Sequence, residues 1–200
     1  MPLRLSSHIY VAEYAGDILE ALVGVSFNRK LMSIGAVMPD IQPLRRMQIH
    51  SPHIVLPHIQ REYDRIVLKE KKIERISFIL GVLSHYITDA FCYSHNAYVI
   101  DMKKHIQYEH YLDDEKYNIK FSRDIGKIVL DHLIHLDKGI DSIDEYIKKE
   151  NKKYLQAVKD KSWEDIIQID LENAITHTAV LLTHFVMELQ EVRVPAVCLA

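Results

Sequence analysis

Apolar residues recur at spacings of three and four along most of the chain, which is the period of amphipathic helices. The first such segment runs from about Ser7 to Val23, with Ser6 or Ser7 as the N-cap and Gly24 as a stop signal. Further helices are predicted over residues 29–37, 57–71, 73–93, 102–116, 121–136, 142–157 and 163–190. No segment of strand length alternates apolar and polar residues, so the pattern predicts an all-α fold.

Two prolines set expected helix boundaries. Pro39 is expected to end the second helix, because proline has no amide hydrogen to donate inside a helix. Pro57 suits the first turn of the third helix, where that hydrogen is not needed. Residues 73–93 are apolar around nearly the whole helix, which predicts a buried helix at the centre of a bundle.

The composition fits one globular domain over residues 1–200, in which 48% of the residues are hydrophobic and 26% are charged. A formal net charge of -3 provides no basic surface for duplex nucleic acid. Cys92 and Cys198 do not indicate a disulfide framework. The sequence shows neither a signal peptide nor an apolar stretch long enough to span a membrane, so we expect a cytoplasmic location.

The positions of the histidines matter more than their number, which is 12. His85 and Asp89 are four residues apart on the central helix and therefore share a face, and His95 follows near the helix end. A buried carboxylate is costly unless it is paired or bound to a metal ion. The pair predicts either a hydrogen-bonded core contact or part of a metal site.

The next helix repeats the same spacing with His105 and Glu109. This helix is polar, so Glu109 could simply face solvent. If the two helices pack side by side, however, both pairs can converge and offer the imidazole and carboxylate ligands that zinc accepts. Upstream, His8 lies near the start of the first helix and Asp40 follows Pro39 directly; a surface histidine and a turn residue are the alternatives.

Four segments together resemble the zinc-dependent phospholipase C family, whose fold is shared by the fungal single-strand-specific nucleases. They lie between Leu5 and Asp113 and read LSSHIYVAEYAGDIL, IGAVMPDI, ILGVLSHYITDAFCYSH and HIQYEHYLD. The first segment contains the family's early His, the second its Asp, the third the motif His-x3-Asp-x5-His, and the fourth the motif His-x3-Glu. One more family histidine is expected between Asp40 and the central helix, for which His50 is the first choice and His53 the second.

The resemblance implies an all-α fold of this type with two or three bound zinc ions. The implied ligands are His8, Asp40, His50, His85, Asp89, His95, His105 and Glu109. Asp89 would bridge the ion at His85 to the ion at Glu109. A third ion would use His8, Asp40 and the amine and carbonyl of the chain's first residue. Asp40 would also orient or deprotonate the attacking water.

The function that the resemblance implies is hydrolysis of phosphodiesters, phospholipids among them, by zinc-activated water. The alternatives are a nuclease or small-molecule phosphoesterase on the same site, and a metal-binding helical protein without catalysis. A nuclease is expected to have aromatic stacking platforms or a basic groove, and the net charge of -3 argues mildly against it. The chain has neither the Gly-x-Ser-x-Gly motif of serine esterases nor the His-Glu-x-x-His motif of zinc peptidases.

Overall fold

The computed structural model describes residues 6–42, 52–66, 70, 72–96, 101–121, 124–136 and 140–193. Within these ranges the protein consists of helices and connecting loops, with no β-strand, which confirms the predicted all-α fold. The helices are α1 (Ser6–Val23), α2 (Arg29–Ile41), α3 (Pro52–Asp64), α4 (Ile73–Ala90), α5 (Met102–Glu115), α6 (Ile125–Ile134), α7 (Ile140–Val158) and α8 (Trp163–Arg193). A short 3-10 turn, Tyr93–His95, follows α4. In the part of the chain so described, no helix is both long and apolar enough to cross a membrane.

Helix α4 forms the centre of the bundle, as its apolar pattern predicts. It packs against α1, α2, α3 and α8. From Ile79 to Ala90 every side chain is buried. His85 and Asp89 are therefore buried polar residues on a largely apolar helix, and they need polar partners there.

Two glycines bring α2 unusually close to α4. A Cβ atom on Gly35 would lie 2.2 Å from the carbonyl oxygen of Phe78, and a Cβ on Gly81 would lie 2.1 Å from the carbonyl oxygen of Met32. The two backbones are therefore in direct contact where these residues meet, which only glycine permits. This close approach places the C-terminal end of α2, with Asp40, against the face of α4 that carries the buried polar residues.

Both proline boundaries were predicted wrongly. Helix α2 continues through Pro39 to Ile41, and α3 begins at Pro52, with Pro57 in its interior. A proline inside a helix removes one backbone hydrogen bond, but packing can outweigh that loss. Pro39 is buried, and beyond it the amide of Gln42 still donates to the carbonyl of Met38. Helix α3 ends at Asp64, before the predicted boundary at residue 71.

Helix α4 ends three residues earlier than its apolar pattern suggests, and this early end matters for the site. The side-chain amide of Asn151 donates to the carbonyl of Ala90 over 2.6 Å, and that of Asn96 donates to the carbonyl of Cys92 over 2.7 Å. These bonds satisfy carbonyl groups that the end of a helix leaves without partners. The chain can therefore turn back at Tyr93–His95, which directs His95 towards Asp89.

Candidate metal centre

Seven of the eight predicted ligands converge at one end of α4. They are His8, Asp40, His85, Asp89, His95, His105 and Glu109. Helices α1, α2, α4 and α5 and the 3-10 turn each contribute at least one of them. The eighth, His50, lies outside the described residues, as does the side chain of His53.

The first group consists of His8, His85 and Asp89, with Asp40 beside them. The two imidazole rings stack with centroids 4.1 Å apart. His85 Nε2 lies 3.2 Å from Asp89 Oδ2 and 3.7 Å from Asp40 Oδ1. His8 Nε2 lies 3.5 Å from Asp89 Oδ1 and 3.8 Å from Asp40 Oδ2. Two nitrogens and two carboxylates thus surround one small volume.

The second group consists of His95, His105 and Glu109. Glu109 Oε1 lies 2.8 Å from His105 Nε2, one helical turn away, and 3.2 Å from His95 Nε2. The predicted convergence of α5 with the end of α4 therefore occurs, and Glu109 faces this cluster.

Asp89 joins the two groups. Its Oδ2 faces His85, while its Oδ1 lies 3.5 Å from His8 Nε2 and 3.4 Å from His95 Nε2. The carboxylate is completely buried. Oδ1 thus faces one imidazole of each group, as a carboxylate shared between two ions would.

Backbone carbonyls orient two of the imidazoles. His85 Nδ1 lies 2.9 Å from the carbonyl oxygen of Ala36, and His105 Nδ1 lies 2.8 Å from that of Ser94. A carbonyl only accepts, so both Nδ1 atoms donate a hydrogen. In the neutral rings the lone pair is then on Nε2, the atom that faces the carboxylates. This arrangement is the usual support of a metal-binding histidine.

The spacing of these atoms fits a metal ion. In tetrahedral coordination with bonds of about 2.0–2.1 Å, neighbouring ligand atoms lie about 3.3 Å apart. In each group the candidate ligand atoms all lie within 4.8 Å of one another, and the contacts of Asp89 span 3.2–3.5 Å. Hydrogen bonds alone would favour N···O distances of about 2.9 Å, which the 2.8 Å contact between Glu109 and His105 shows and the contacts of Asp89 do not. The donor set, imidazole with carboxylate, is one that zinc accepts.

The pKa values of His8 and His95 are shifted in opposite directions. Burial, together with the neighbouring His85, lowers the pKa of His8 to about 4, so this ring is neutral at pH 7. Burial also acts to lower the pKa of His95, but the carboxylates of Asp89 and Glu109 outweigh it and raise that pKa to about 9. Burial opposes ionisation of Glu109, yet hydrogen bonds from His105 and His95 hold its pKa well below the ordinary value. Without metal, the ring of His95 is therefore protonated at pH 7, and it lies between the carboxylates of Asp89 and Glu109.

A cleft opens onto both groups. Besides the ligand-type residues it is lined by Ser7, Thr88, Cys92 and Leu112. The side chains of Asp40 and Glu109 are 20% and 25% exposed, whereas that of Asp89 is fully buried. The site is therefore open to solvent on the side of Asp40 and Glu109.

Sequence reasoning missed Asp170, one of two aspartates that support the site. The carboxylate of Asp170 on α8 accepts a hydrogen bond from the amide of Tyr93 over 2.8 Å and another from the hydroxyl of Tyr108 over 2.7 Å. Asp113 binds the hydroxyls of Ser6 and Ser7 and the ammonium group of Lys116, which ties the start of α1 to the end of α5. Asp170 stands in no spacing that would have marked it.

A family model described as zinc dependent phospholipase C matches residues 7–161, which include all seven converging side chains. No curated protein and no solved structure matches the chain.

Proposed function

Because the chain belongs to the zinc-dependent phospholipase C family, we propose that it hydrolyses phosphodiesters at the metal centre formed by α1, α2, α4, α5 and the 3-10 turn. The observation that carries the proposal is the position of Asp89, whose two oxygens face imidazoles of both groups. A buried carboxylate among three histidines is explained well by two metal ions and poorly by core packing alone.

In this proposal one zinc ion is held by His8, His85 and Asp89, and a second by His95, His105 and Glu109. The proximity of these atoms supports the assignment. Asp40 lies beside the first group, and Asp89 also contacts His95 of the second. His50, if it is a ligand, would complete the first set. The resemblance instead assigns His8 and Asp40 to a third ion at the start of the chain, and that ion stays a prediction.

Bound zinc would lower the pKa of water towards ~7 and offset charge on the phosphate oxygens. The protein's own residues supply the rest. Asp40 is the partly exposed carboxylate nearest the first group, with its oxygens 3.7 and 3.8 Å from His85 and His8. We assign it the role of accepting the proton of the attacking water. Asp89 and Glu109 keep the histidines oriented, and the apolar core behind Asp89 excludes water from that side.

Family membership supports a phospholipid-type diester as the substrate class. The test measures zinc content by elemental analysis and hydrolysis of nitrophenyl phosphorylcholine, a monoester, phospholipid vesicles and single-stranded nucleic acid. We expect at least two zinc ions per chain and hydrolysis of the choline diester and phospholipid that a chelator abolishes and added zinc restores.

Three other results of these tests would contradict the proposal. A preference for nucleic acid would move the assignment to a nuclease. If protein carrying two zinc ions hydrolyses none of the esters, the chain is a non-catalytic metal-binding protein and the proposal fails. Zinc content below one per chain would remove the metal centre itself.

A further inference from the structure

Asp170 is a buried carboxylate outside the metal centre, to which one backbone amide and two tyrosine hydroxyls donate and beside which the thiol of Cys92 lies. Asp170 lies on α8, and its side chain is almost fully buried. Its Oδ2 accepts from the amide of Tyr93 over 2.8 Å and from the hydroxyl of Tyr108 over 2.7 Å. Its Oδ1 accepts from the hydroxyl of Tyr154 over 2.6 Å. Such short bonds to a carboxylate are stronger than those between neutral groups.

Tyr93, Tyr108 and Tyr154 lie on three different segments, of which two carry candidate ligands. Tyr93 begins the 3-10 turn that carries His95, and Tyr108 directly precedes Glu109 on α5. Tyr154 lies on α7, which contributes none of the seven converging side chains. Oδ2 of Asp170 thus connects the two segments that carry the second group. Oδ1 accepts a bond from a helix that carries no candidate ligand.

These connections matter because the second group is assembled from two separate segments. Besides the contacts of the candidate ligands themselves, the bond from His105 Nδ1 to the carbonyl of Ser94 joins the turn to α5. A hydrogen bond at one point does not by itself fix how α5 is rotated relative to the turn. The path from Tyr93 through Asp170 to Tyr108 adds a link that is anchored in the core by α8, and the ring centroids of Tyr93 and Tyr108 lie 5.2 Å apart.

We propose that Asp170 is a positioning residue that sets the placement of Glu109 relative to His95 and thereby the affinity of the second metal group. The inference rests on the proposed function, since it assumes that this group binds an ion. Metal sites lose affinity when groups that orient the ligands are removed, commonly by 10- to 100-fold.

The tyrosines provide a matched pair of variants. Tyr108→Phe and Tyr154→Phe each remove one hydroxyl from a buried ring and one hydrogen bond of nearly equal length to the same carboxylate. If Asp170 has a purely structural role, the two variants should change zinc binding equally. The positioning role predicts that Tyr108→Phe weakens zinc binding at the second group about tenfold or more, whereas Tyr154→Phe changes it less than about twofold.

The measurement is a competition titration of metal-free protein with zinc and a chromophoric chelator, together with the melting temperature of each metal-free variant. The zinc-binding constant that disappears in His95→Asn identifies the second group. We expect both tyrosine variants to melt at similarly lowered temperatures, with only Tyr108→Phe losing zinc affinity. Asp170→Asn should lose at least as much affinity; if it does not fold, the tyrosine pair still decides.

The outcomes separate the two proposals. If the unmodified protein binds two zinc ions and the tyrosine variants bind them equally well, the positioning role of Asp170 is overturned and the metal centre stands. If the unmodified protein binds less than one zinc ion, the proposed function fails and the positioning role falls with it.

Discussion

The Nε2 atom of His95 lies 3.4 Å from Oδ1 of Asp89, a residue six positions earlier at the end of the central helix. This contact is possible because α4 ends at Ala90 and the 3-10 turn reverses the chain. Through it, the imidazole of the second group reaches the carboxylate of the first. The two groups should therefore behave as one coupled centre.

Replacement of Asp89 should affect both ions. Asp89→Asn removes the charge that faces His8, His85 and His95, so we expect zinc content to fall from at least two ions per chain to less than one. Glu109→Gln should remove only the second ion. The melting temperature should fall in both variants, because metal binding is linked to folding. Elemental analysis and calorimetry provide the readout.

Asp114→Asn is the control for both variants, since Asp114 is an exposed carboxylate on α5, one helical turn and one residue beyond Glu109. It should retain all zinc. Full zinc content in Asp89→Asn would mean that the buried carboxylate is a structural partner of the histidines and not a shared ligand.

Asp40→Asn should separate catalysis from metal binding. His8, His85 and Asp89 remain to hold the first ion, so zinc content should be unchanged. Turnover should fall by about 10²-fold or more, the range for loss of a general base. Steady-state hydrolysis of nitrophenyl phosphorylcholine by zinc-loaded protein measures this effect. Undiminished turnover would show that Asp40 does not accept the proton.

Zinc binding should release protons. In the metal-free protein the pKa of His95 is raised to about 9, so the ring is protonated at pH 7 and must lose that proton to bind an ion. Zinc affinity should therefore increase as the pH rises from 6 to 9. Calorimetric titration in two buffers of different ionisation enthalpy counts the protons, and His95→Asn should release about one fewer than the unmodified protein.

The raised pKa of His95 also makes the stability of the metal-free protein depend on pH. A histidine whose pKa rises from 6.5 unfolded to about 9 folded stabilises the folded state fully below pH 6.5. This contribution disappears as the pH rises through about 9. Urea unfolding of metal-free protein at pH 6.5 and 9.5 should show the loss, and His95→Asn should reduce the difference. An unchanged difference in that variant would assign the pH dependence to other groups.

The close contact between α2 and α4 should tolerate no added methyl group. In Gly35→Ala the new Cβ would lie 2.2 Å from the carbonyl oxygen of Phe78, so the helices must separate. We expect a loss of about 1–3 kcal/mol in the free energy of unfolding and weaker zinc binding, because the carbonyl of Ala36, which orients His85, moves with α2. Urea unfolding and zinc titration measure the two effects.

Gly126→Ala is the matched control, because its new Cβ would come no closer than 3.3 Å to a side-chain oxygen of Asp124. It should leave zinc affinity unchanged. If Gly35→Ala binds zinc as tightly as Gly126→Ala does, the orientation of His85 does not depend on this helix contact.

The sequence by itself determined the helical class, the central position of α4 and the two pairs of His and carboxylate at a spacing of four. These features are local: helical period places His85 with Asp89, and His105 with Glu109, on common faces whatever the rest of the chain does. The motif order was also sufficient to identify the family. The single domain over residues 1–200 and the role of His50 stay predictions.

The tertiary structure alone decided which helix ends meet. Local rules placed boundaries at Pro39 and Pro57, but burial against neighbouring helices outweighed the missing hydrogen bonds. The stacking of His8 on His85 and the convergence of Tyr93 and Tyr108 on Asp170 join residues more than 60 positions apart. No period or spacing encodes such contacts, because they depend on how the helices pack against one another.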